Sequence, residues 1–88
     1  MKSVILTLTG RVQNVGFRYY THKAAVEMGI QGFVKNRPDG SVYIEAEGEE
    51  SPLSAFIGWC HKGPAWARVD EVEVQEQPLQ GFTGFNVR

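Results

Sequence analysis

A glycine-flanked turn, Gly10 to Arg18, separates two segments whose hydrophobic residues repeat with different periods. The run before it, Val4–Thr9, is rich in β-branched residues and alternates towards its end, which favours a strand. After the turn, one face of a helix is marked by Phe17, Tyr20, Thr21, Ala24 and Met28. Gly29, followed by an apolar residue, is typical of a helix end closed by a left-handed glycine. The chain is therefore predicted to begin with a strand and a helix over Phe17–Met28.

Further strands are predicted after this helix. Gln31–Asn36 and Ser41–Glu47 flank an Arg-Pro-Asp-Gly turn, in which proline fixes φ, aspartate caps locally and glycine takes the left-handed position. In the second of these strands apolar and polar residues alternate, which indicates one buried face. The later strands are marked by Val69, Val72 and Val74, with an irregularity at Asp70-Glu71, and by the short run Phe82–Val87 after a turn at Pro78 to Gly81.

A second helix is predicted between these strands. Ser51 suits its N-cap and Pro52 its first helical position. An apolar stripe follows at Leu53, Phe56, Ile57 and Cys60, before an end near Lys62-Gly63-Pro64. Cys60 fits that stripe as a small core residue. The acidic residues on either side of the helix start, Glu45, Glu47, Glu49 and Glu50, are interpreted as solvated.

The order of these segments predicts an α+β fold. It is a ferredoxin-like α/β sandwich, βαββαβ with a short terminal strand, in which two helices cover one face of an antiparallel sheet. At 88 residues the chain has room for one core, so residues 1–88 are expected to form a single domain. Because crossovers are right-handed, the first strand is expected to be central, with the Gly10–Arg18 turn at its C-terminal end.

Composition narrows the classes of partner. The formal net charge is −1, from nine Lys+Arg and ten Asp+Glu, which disfavours a general nucleic-acid binder. The single cysteine cannot form an internal disulfide, and no Cys/His spacing predicts a zinc site. No leader and no apolar run of transmembrane length is found. A cytoplasmic monomer without metal, cofactor, nucleic-acid or membrane partner is expected.

The Gly10–Arg18 turn has the composition of an anion site. Main-chain N–H groups from Gln13, Asn14, Val15, Gly16, Phe17 and Arg18 can converge on one small anion. The guanidinium of Arg18 can bind two oxygens, and a cation at a helix N-terminus needs an anion to offset the macrodipole. Asn36 precedes the second turn and can orient a water molecule through its amide. Each feature alone is also compatible with an ordinary turn carrying a surface arginine or a local asparagine cap.

Other polar and aromatic residues carry weaker signals. His22 and His61 have no metal-like partner spacing, and each is interpreted as a partly exposed helix residue. The segment Gly81–Val87 loosely resembles the aromatic strand of an RNA-recognition motif. It lies at the C-terminal edge and lacks a preceding basic residue, so Phe82 and Phe85 are interpreted mainly as packing residues.

Together the two turns resemble the signatures of the acylphosphatase family. The first, G-x-V-Q-G-V-G-F-R, corresponds to Gly10–Arg18, and the second, G-x-V-x-N-x-x-D-G-S-V, corresponds to Gly32–Val42. A terminal F-x-x-R, also typical, stands at Phe85–Arg88. The resemblance covers essentially the whole chain. One departure is Asn14, where the family usually has glycine; asparagine tolerates positive φ, so the loop is still expected to close.

The resemblance implies a metal-free and cofactor-free hydrolase that cleaves acyl phosphates to a carboxylate and inorganic phosphate, with phosphate as product and inhibitor. It implies that Arg18 and the loop amides bind the phosphoryl group and that Asn36 positions the attacking water. The alternative on the same fold is a non-catalytic anion- or RNA-binding module. A fragment of a larger carbamoyl-phosphate-processing protein is disfavoured, because the chain starts at Met1 and ends cleanly after its last strand.

Overall fold

The structure, a computed structural model, describes all 88 residues and contains five strands and two helices. In chain order these are β1 (Lys2–Arg11), α1 (Phe17–Met28), β2 (Gln31–Asn36), β3 (Val42–Gly48), α2 (Glu50–Lys62), β4 (Arg68–Gln77) and β5 (Phe85–Val87). The predicted order is confirmed, and the bounds predicted for α1 and β2 agree with those observed. β1 is longer than predicted by two residues at each end. Neither helix is long and apolar enough to cross a membrane.

The strands form one sheet in the order β4-β1-β3-β2-β5, so the first strand lies inside it, as predicted. β1 pairs antiparallel with β3 and β4, and β2 pairs antiparallel with β3. The prediction of a wholly antiparallel sheet is corrected at one edge, where β5 runs parallel to β2. The reason is that β4 ends at the end of the sheet where β2 begins, and the chain crosses there to the far edge. β5 covers only Phe85–Val87, and Gly84 before it has a φ of 69°.

The core lies between one face of the sheet and the two helices. Its largest fully buried side chains include Phe17 from α1, Phe56 from α2, and Leu6, Leu8, Ile44, Val34 and Val42 from the strands. The buried face of α1 consists of Phe17, Thr21, Ala24 and Ala25. Tyr20, predicted on this face, is instead 42% exposed. The inward stripe follows i, i+4, i+7 and i+8 from Phe17, which leaves position 20 at its margin.

The ends of α1 and β4 agree with the sequence analysis. Gly29 adopts a φ of 70°, its N–H donates to Val26 O, and the N–H of Ile30 donates to Ala25 O. These two bonds form the predicted glycine-closed helix end. In the pairing of β1 with β4 the register shifts after Thr9, so that Asp70 has no partner residue. The predicted irregularity at Asp70-Glu71 is therefore a β-bulge.

The start of α2 differs from the prediction. Its N-cap is Glu49 rather than Ser51, and the first helical hydrogen bond runs from Leu53 N to Glu49 O. Pro52 consequently occupies the third helical position instead of the first. The helix tolerates it there because the N–H groups of the first turn have no intrahelical acceptor, so proline removes no bond. The predicted end is confirmed, with Gly63 as the C-cap.

Candidate active site

The loop between β1 and α1 and the turn between β2 and β3 enclose a pocket of about 380 Å³ at one end of the sheet. The residues that line it are Val12, Gln13, Asn14, Gly16, Phe17, Arg18, Tyr19, Asn36 and Val87. Six of the seven predicted site residues are in this set. The exception is Val15, which belongs to the hydrophobic core. The structure thus places Arg18 and Asn36 in one pocket.

The backbone of the loop presents unused hydrogen-bond donors. Asn14 and Gly16 have φ values of 63° and 74°, while Val15 between them does not have positive φ. Alternation of this kind turns successive N–H groups towards the same side and forms an anion-binding concavity. None of the N–H groups of residues 13–16 donates to a main-chain oxygen. Gly16 is also the N-cap of α1, whose first turn has no acidic residue and no side-chain cap.

Arg18 is the only charged side chain that lines the pocket. It lies in the first turn of α1 and is exposed. Its Nη1 donates a 3.0 Å hydrogen bond to the main-chain oxygen of Arg88. This bond fixes the guanidinium from one side, and the other N–H groups make no hydrogen bond within the protein. Arg18 can therefore offer a planar fork of donors to an anion.

Asn36 is the last residue of β2 and is half-buried. Its Oδ1 atom is buried and has no hydrogen-bond partner, the one side-chain atom of the chain in that condition. A buried acceptor without a partner costs about 1–3 kcal/mol, so such atoms usually bind water or a ligand. Asn36 is one of the residues that line the pocket, so this unpartnered oxygen belongs to the pocket wall.

The turn that follows Asn36 is held by its own hydrogen bonds. Gly40 N donates to Arg37 O, and both the N–H and the hydroxyl of Ser41 donate to Asp39 Oδ1, at 2.9 and 2.6 Å. The hydroxyl and the main-chain N–H of Ser41 lower the pKa of Asp39. Each of these contacts stabilises the Pro-Asp-Gly turn that the sequence predicted.

Three pocket residues have roles that the sequence analysis missed. The side chain of Gln13, predicted only through its main chain, donates to main-chain oxygens of the β2–β3 turn. Tyr19 and Val87 line the pocket but were not predicted as site residues. Tyr19 could have been predicted as a pocket residue, because it follows Arg18 directly in the sequence. Val87 could not, because it reaches the pocket only through the pairing of β5 with β2.

The remaining reactive side chains lie away from the pocket. His22 is half-buried with its ring 6.3 Å from that of Phe85, and His61 is exposed with Nδ1 3.0 Å from Ile57 O. Cys60 is fully buried, as predicted, and burial raises the pKa of its thiol. No three His, Cys, Asp or Glu side chains are grouped so as to hold a metal ion.

Comparison with known proteins extends this description. The family model for acylphosphatase matches residues 4–87. Acylphosphatase from Mannheimia succiniciproducens is 58% identical over 89% of this chain and 84% of its own length. Acylphosphatase from a Nocardioides species is 45% identical over 100% of this chain and 90% of its own. The crystal structure of Bacillus subtilis acylphosphatase superposes with a TM-score of 0.97, at 37% identity, covering 100% of this chain and 99% of that one.

Proposed function

Since this chain belongs to the acylphosphatase family and hydrolyses the carboxyl–phosphate bond of acyl phosphates, we propose roles in that reaction for the residues of its pocket. The products of the reaction are a carboxylate and inorganic phosphate. A non-catalytic anion- or RNA-binding module on the same fold is not favoured, because the similar full-length proteins are acylphosphatases. What the pocket must supply is a site for the phosphoryl group and a place for the attacking water.

We propose that Arg18 and the N–H groups of residues 13–18 bind the phosphoryl group. The guanidinium fork matches two phosphoryl oxygens, and the loop donors can bind the remaining one. Charge on these oxygens is present throughout phosphoryl transfer, and fixed donors stabilise it without having to reorganise. The support is that all of these residues except Val15 line one pocket, that the N–H groups of residues 13–16 donate to no main-chain oxygen, and that the guanidinium of Arg18 bonds only Arg88 within the protein.

Asn36 is proposed to hold the attacking water. Its buried, unpartnered Oδ1 can accept a hydrogen from that water and orient the oxygen towards phosphorus. The water oxygen forms the new P–O bond, the bond from phosphorus to the acyl oxygen breaks, and its electron pair leaves with the carboxylate. The water proton passes to a phosphoryl oxygen. No histidine or carboxylate lines the pocket, and the carboxylate leaving group is good enough that positioning can supply most of the catalysis.

The observation that supports these roles is that Arg18, the loop with free N–H donors and Asn36 line one pocket, and that the buried Oδ1 of Asn36 has no partner within the protein. Arg18→Ala and Asn36→Ala are each expected to lower kcat for benzoyl phosphate by about 10³-fold or more. Arg18→Lys should fail similarly, because an ammonium lacks the planar fork. Lys23→Ala removes an exposed cation from the same helix and should leave activity unchanged.

Circular dichroism and urea unfolding of each variant separate loss of catalysis from loss of fold. Full activity in either Arg18→Ala or Asn36→Ala would contradict the assigned roles. Inorganic phosphate should inhibit the wild type competitively and lose affinity in Arg18→Ala. A pH–rate profile that requires an enzyme base near neutrality would contradict proton transfer to the substrate phosphoryl group.

The remaining expectations concern the protein as a whole. We propose that residues 1–88 act as a single acylphosphatase-like domain, as a cytoplasmic monomer that needs no metal or cofactor and has no nucleic-acid or membrane partner. The support is the single sheet with one core and the near-neutral charge. Light scattering and activity assays with and without a chelator test the monomer and the independence from metals.

A further inference from the structure

The pocket has an apolar rim on one side that phosphate binding does not use. Tyr19 and Val87 line it and are 64% and 48% exposed; of the large apolar side chains that are exposed on this molecule, only these two line the pocket. Below them Val12 and Phe17 form a buried apolar floor. The polar groups of Gln13, Asn14 and Asn36 make up the rest of the lining. The pocket therefore has a polar part and an apolar part.

The apolar rim flanks the arginine that is proposed to bind the phosphoryl group. Tyr19 follows Arg18 in α1, and Val87 precedes Arg88, whose main-chain oxygen accepts the hydrogen bond from Arg18. A group bonded to a phosphoryl oxygen held by Arg18 would leave the phosphate site between these two side chains. In an acyl phosphate that group is the acyl carbon and its substituent.

The Tyr19 ring is supported from behind. The ring of Tyr20 packs edge-on against it, with centroids 5.1 Å apart at 81°. Tyr20 in turn lies next to Gly16, where an added Cβ would be 3.4 Å from its Cε2 atom. An aromatic pair in this arrangement presents a fixed face and edge to a ligand.

The charges around the pocket restrict what the rim can bind. Arg18 is the only charged residue of the lining. The nearby guanidinium groups of Arg37 and Arg88 lie over the rings of Tyr43 and Phe33, at 4.0 and 3.9 Å from their centroids. A second anionic group on the substrate would therefore find no cationic side chain at the rim to pair with. It would also lose hydration against the apolar side chains, which is unfavourable.

We propose that Tyr19 and Val87 form the acyl subsite, and that this enzyme prefers acyl phosphates whose acyl group is uncharged and apolar, above all aromatic. The inference rests on the proposed function of Arg18, beside which the subsite lies. Burial of a phenyl ring against two apolar side chains is worth about tenfold in kcat/KM relative to a methyl group.

The test compares benzoyl phosphate with acetyl phosphate in the wild type, Tyr19→Ala, Val87→Ala and Tyr19→Phe. Tyr19→Ala should lower kcat/KM for benzoyl phosphate about tenfold while acetyl phosphate changes by less than about twofold. Val87→Ala should also lower kcat/KM selectively for benzoyl phosphate, by a smaller factor than Tyr19→Ala. Tyr19→Phe should retain the wild-type ratio, because the ring and not the hydroxyl provides the contact. Val26→Ala, an exposed apolar residue of the same helix outside the pocket, is the matched control.

Charge is tested with 4-methylbenzoyl and 4-carboxybenzoyl phosphate, of which the methyl compound should be preferred about tenfold. An unchanged benzoyl-to-acetyl ratio in Tyr19→Ala, or a preference for the carboxyl compound, would overturn the subsite. An equal fall in kcat/KM for benzoyl and acetyl phosphate in Tyr19→Ala would also overturn it, since Tyr19 would then contribute to catalysis or folding rather than to binding of the acyl group. Failure of the proposed function has a different signature, namely retained acetyl phosphate hydrolysis in Arg18→Ala.

Discussion

The side chain of Gln13 connects the two halves of the site through the main chain of Arg37. Its Nε2 donates hydrogen bonds of 2.8 Å to Arg37 O and, with its second hydrogen, to Ser41 O. Gln13 belongs to the loop whose N–H groups are proposed to bind phosphate, and Arg37 directly follows Asn36. Both amide hydrogens thus connect the loop between β1 and α1 to the turn that follows Asn36.

Replacing Gln13 should impair catalysis without removing any group that contacts substrate. In Gln13→Met, a side chain of similar length without donors loses both hydrogen bonds, while Arg37 O still accepts from Gly40 N and Ser41 O from Arg37 N. The loss of the two bonds should lower the unfolding free energy by about 1–3 kcal/mol. We expect kcat for acetyl phosphate to fall about tenfold, with a smaller change in inhibition by phosphate. Steady-state kinetics and urea unfolding measure the two effects. Wild-type kcat in Gln13→Met would show that the connection is not needed.

A glutamate at position 13 should make activity depend on pH in a new way. Its carboxylate would face two carbonyl oxygens, whereas the neutral acid can still donate one hydrogen bond, so folding raises its pKa. A raised pKa means that the contribution to stability is present at acid pH and is lost as pH rises through the folded-state value. Relative to the wild type, Gln13→Glu should be nearly inactive at about pH 7 and recover part of its activity near pH 5. A pH profile parallel to that of the wild type would contradict this.

Asn14 is the loop residue whose backbone conformation costs most. It has a φ of 63°, where glycine is unstrained and most side chains are not. Asn14→Gly should leave stability unchanged or raise it by up to about 1 kcal/mol, and Asn14→Ala should lower it by about 1 kcal/mol. Urea unfolding measures both. If Asn14→Gly weakens inhibition by phosphate, the amide side chain itself contacts the anion.

Much of the fold could be predicted because its signals are local. The glycine-closed end of α1 at Gly29, the turn Arg37–Gly40 and the bulge at Asp70 each depend on a few neighbouring residues, and all are present. The pocket could be predicted for the same reason, since the loop of residues 13–16 and Asn36 lie at the ends of β1 and β2. Pairing of both strands with β3 then brings these ends together.

Features that the sequence did not predict depend on distant residues. The acceptors of Gln13 are 24 and 28 positions away, so no local pattern marks its side chain. Glu47 was interpreted as solvated but is 2% exposed, because residues 80–82 cross the sheet and donate to it. Whether a polar strand residue is solvated depends on which later segment covers it, and that is decided by the path from β4 to β5.

Glu47 should make stability depend on pH. Burial alone raises the pKa of its carboxyl, but hydrogen bonds from the N–H groups of Gln80, Phe82 and Gly81 and from the Ser3 hydroxyl outweigh it, so the pKa is lowered. A carboxylate whose pKa is lowered by folding stabilises the folded state at pH values above its pKa in the unfolded state, about 4.3. That stabilisation is lost as the pH falls through its pKa in the folded state. The wild type should therefore lose stability on acidification, with increased hydrogen exchange at residues 80–82.

Glu47→Gln tests the origin of that loss. The amide cannot accept at both heteroatoms, so the variant should be less stable by about 1–3 kcal/mol near neutrality and less sensitive to acid. Glu73→Gln replaces an exposed glutamate of β4 and is the matched control. Urea unfolding of the three proteins between about pH 3 and pH 7 gives the comparison. An acid sensitivity in Glu47→Gln equal to that of the wild type would assign the effect to other carboxylates.

The rate at which a thiol reagent labels Cys60 should report both unfolding and phosphate binding. Its side chain is fully buried in α2 and burial raises its pKa, so a thiol reagent should react only after the protein opens. Labelling by an aromatic disulfide is expected to be slow in native buffer and fast in urea. On the proposal that phosphate binds the pocket of the folded chain, a concentration of 100 times Kd should slow labelling about 100-fold, which corresponds to about 2.7 kcal/mol. In Arg18→Ala the same phosphate concentration should have little effect on the labelling rate.

Rapid labelling of the native protein would show that α2 opens locally. If phosphate still slows labelling in Arg18→Ala, it binds elsewhere on the molecule.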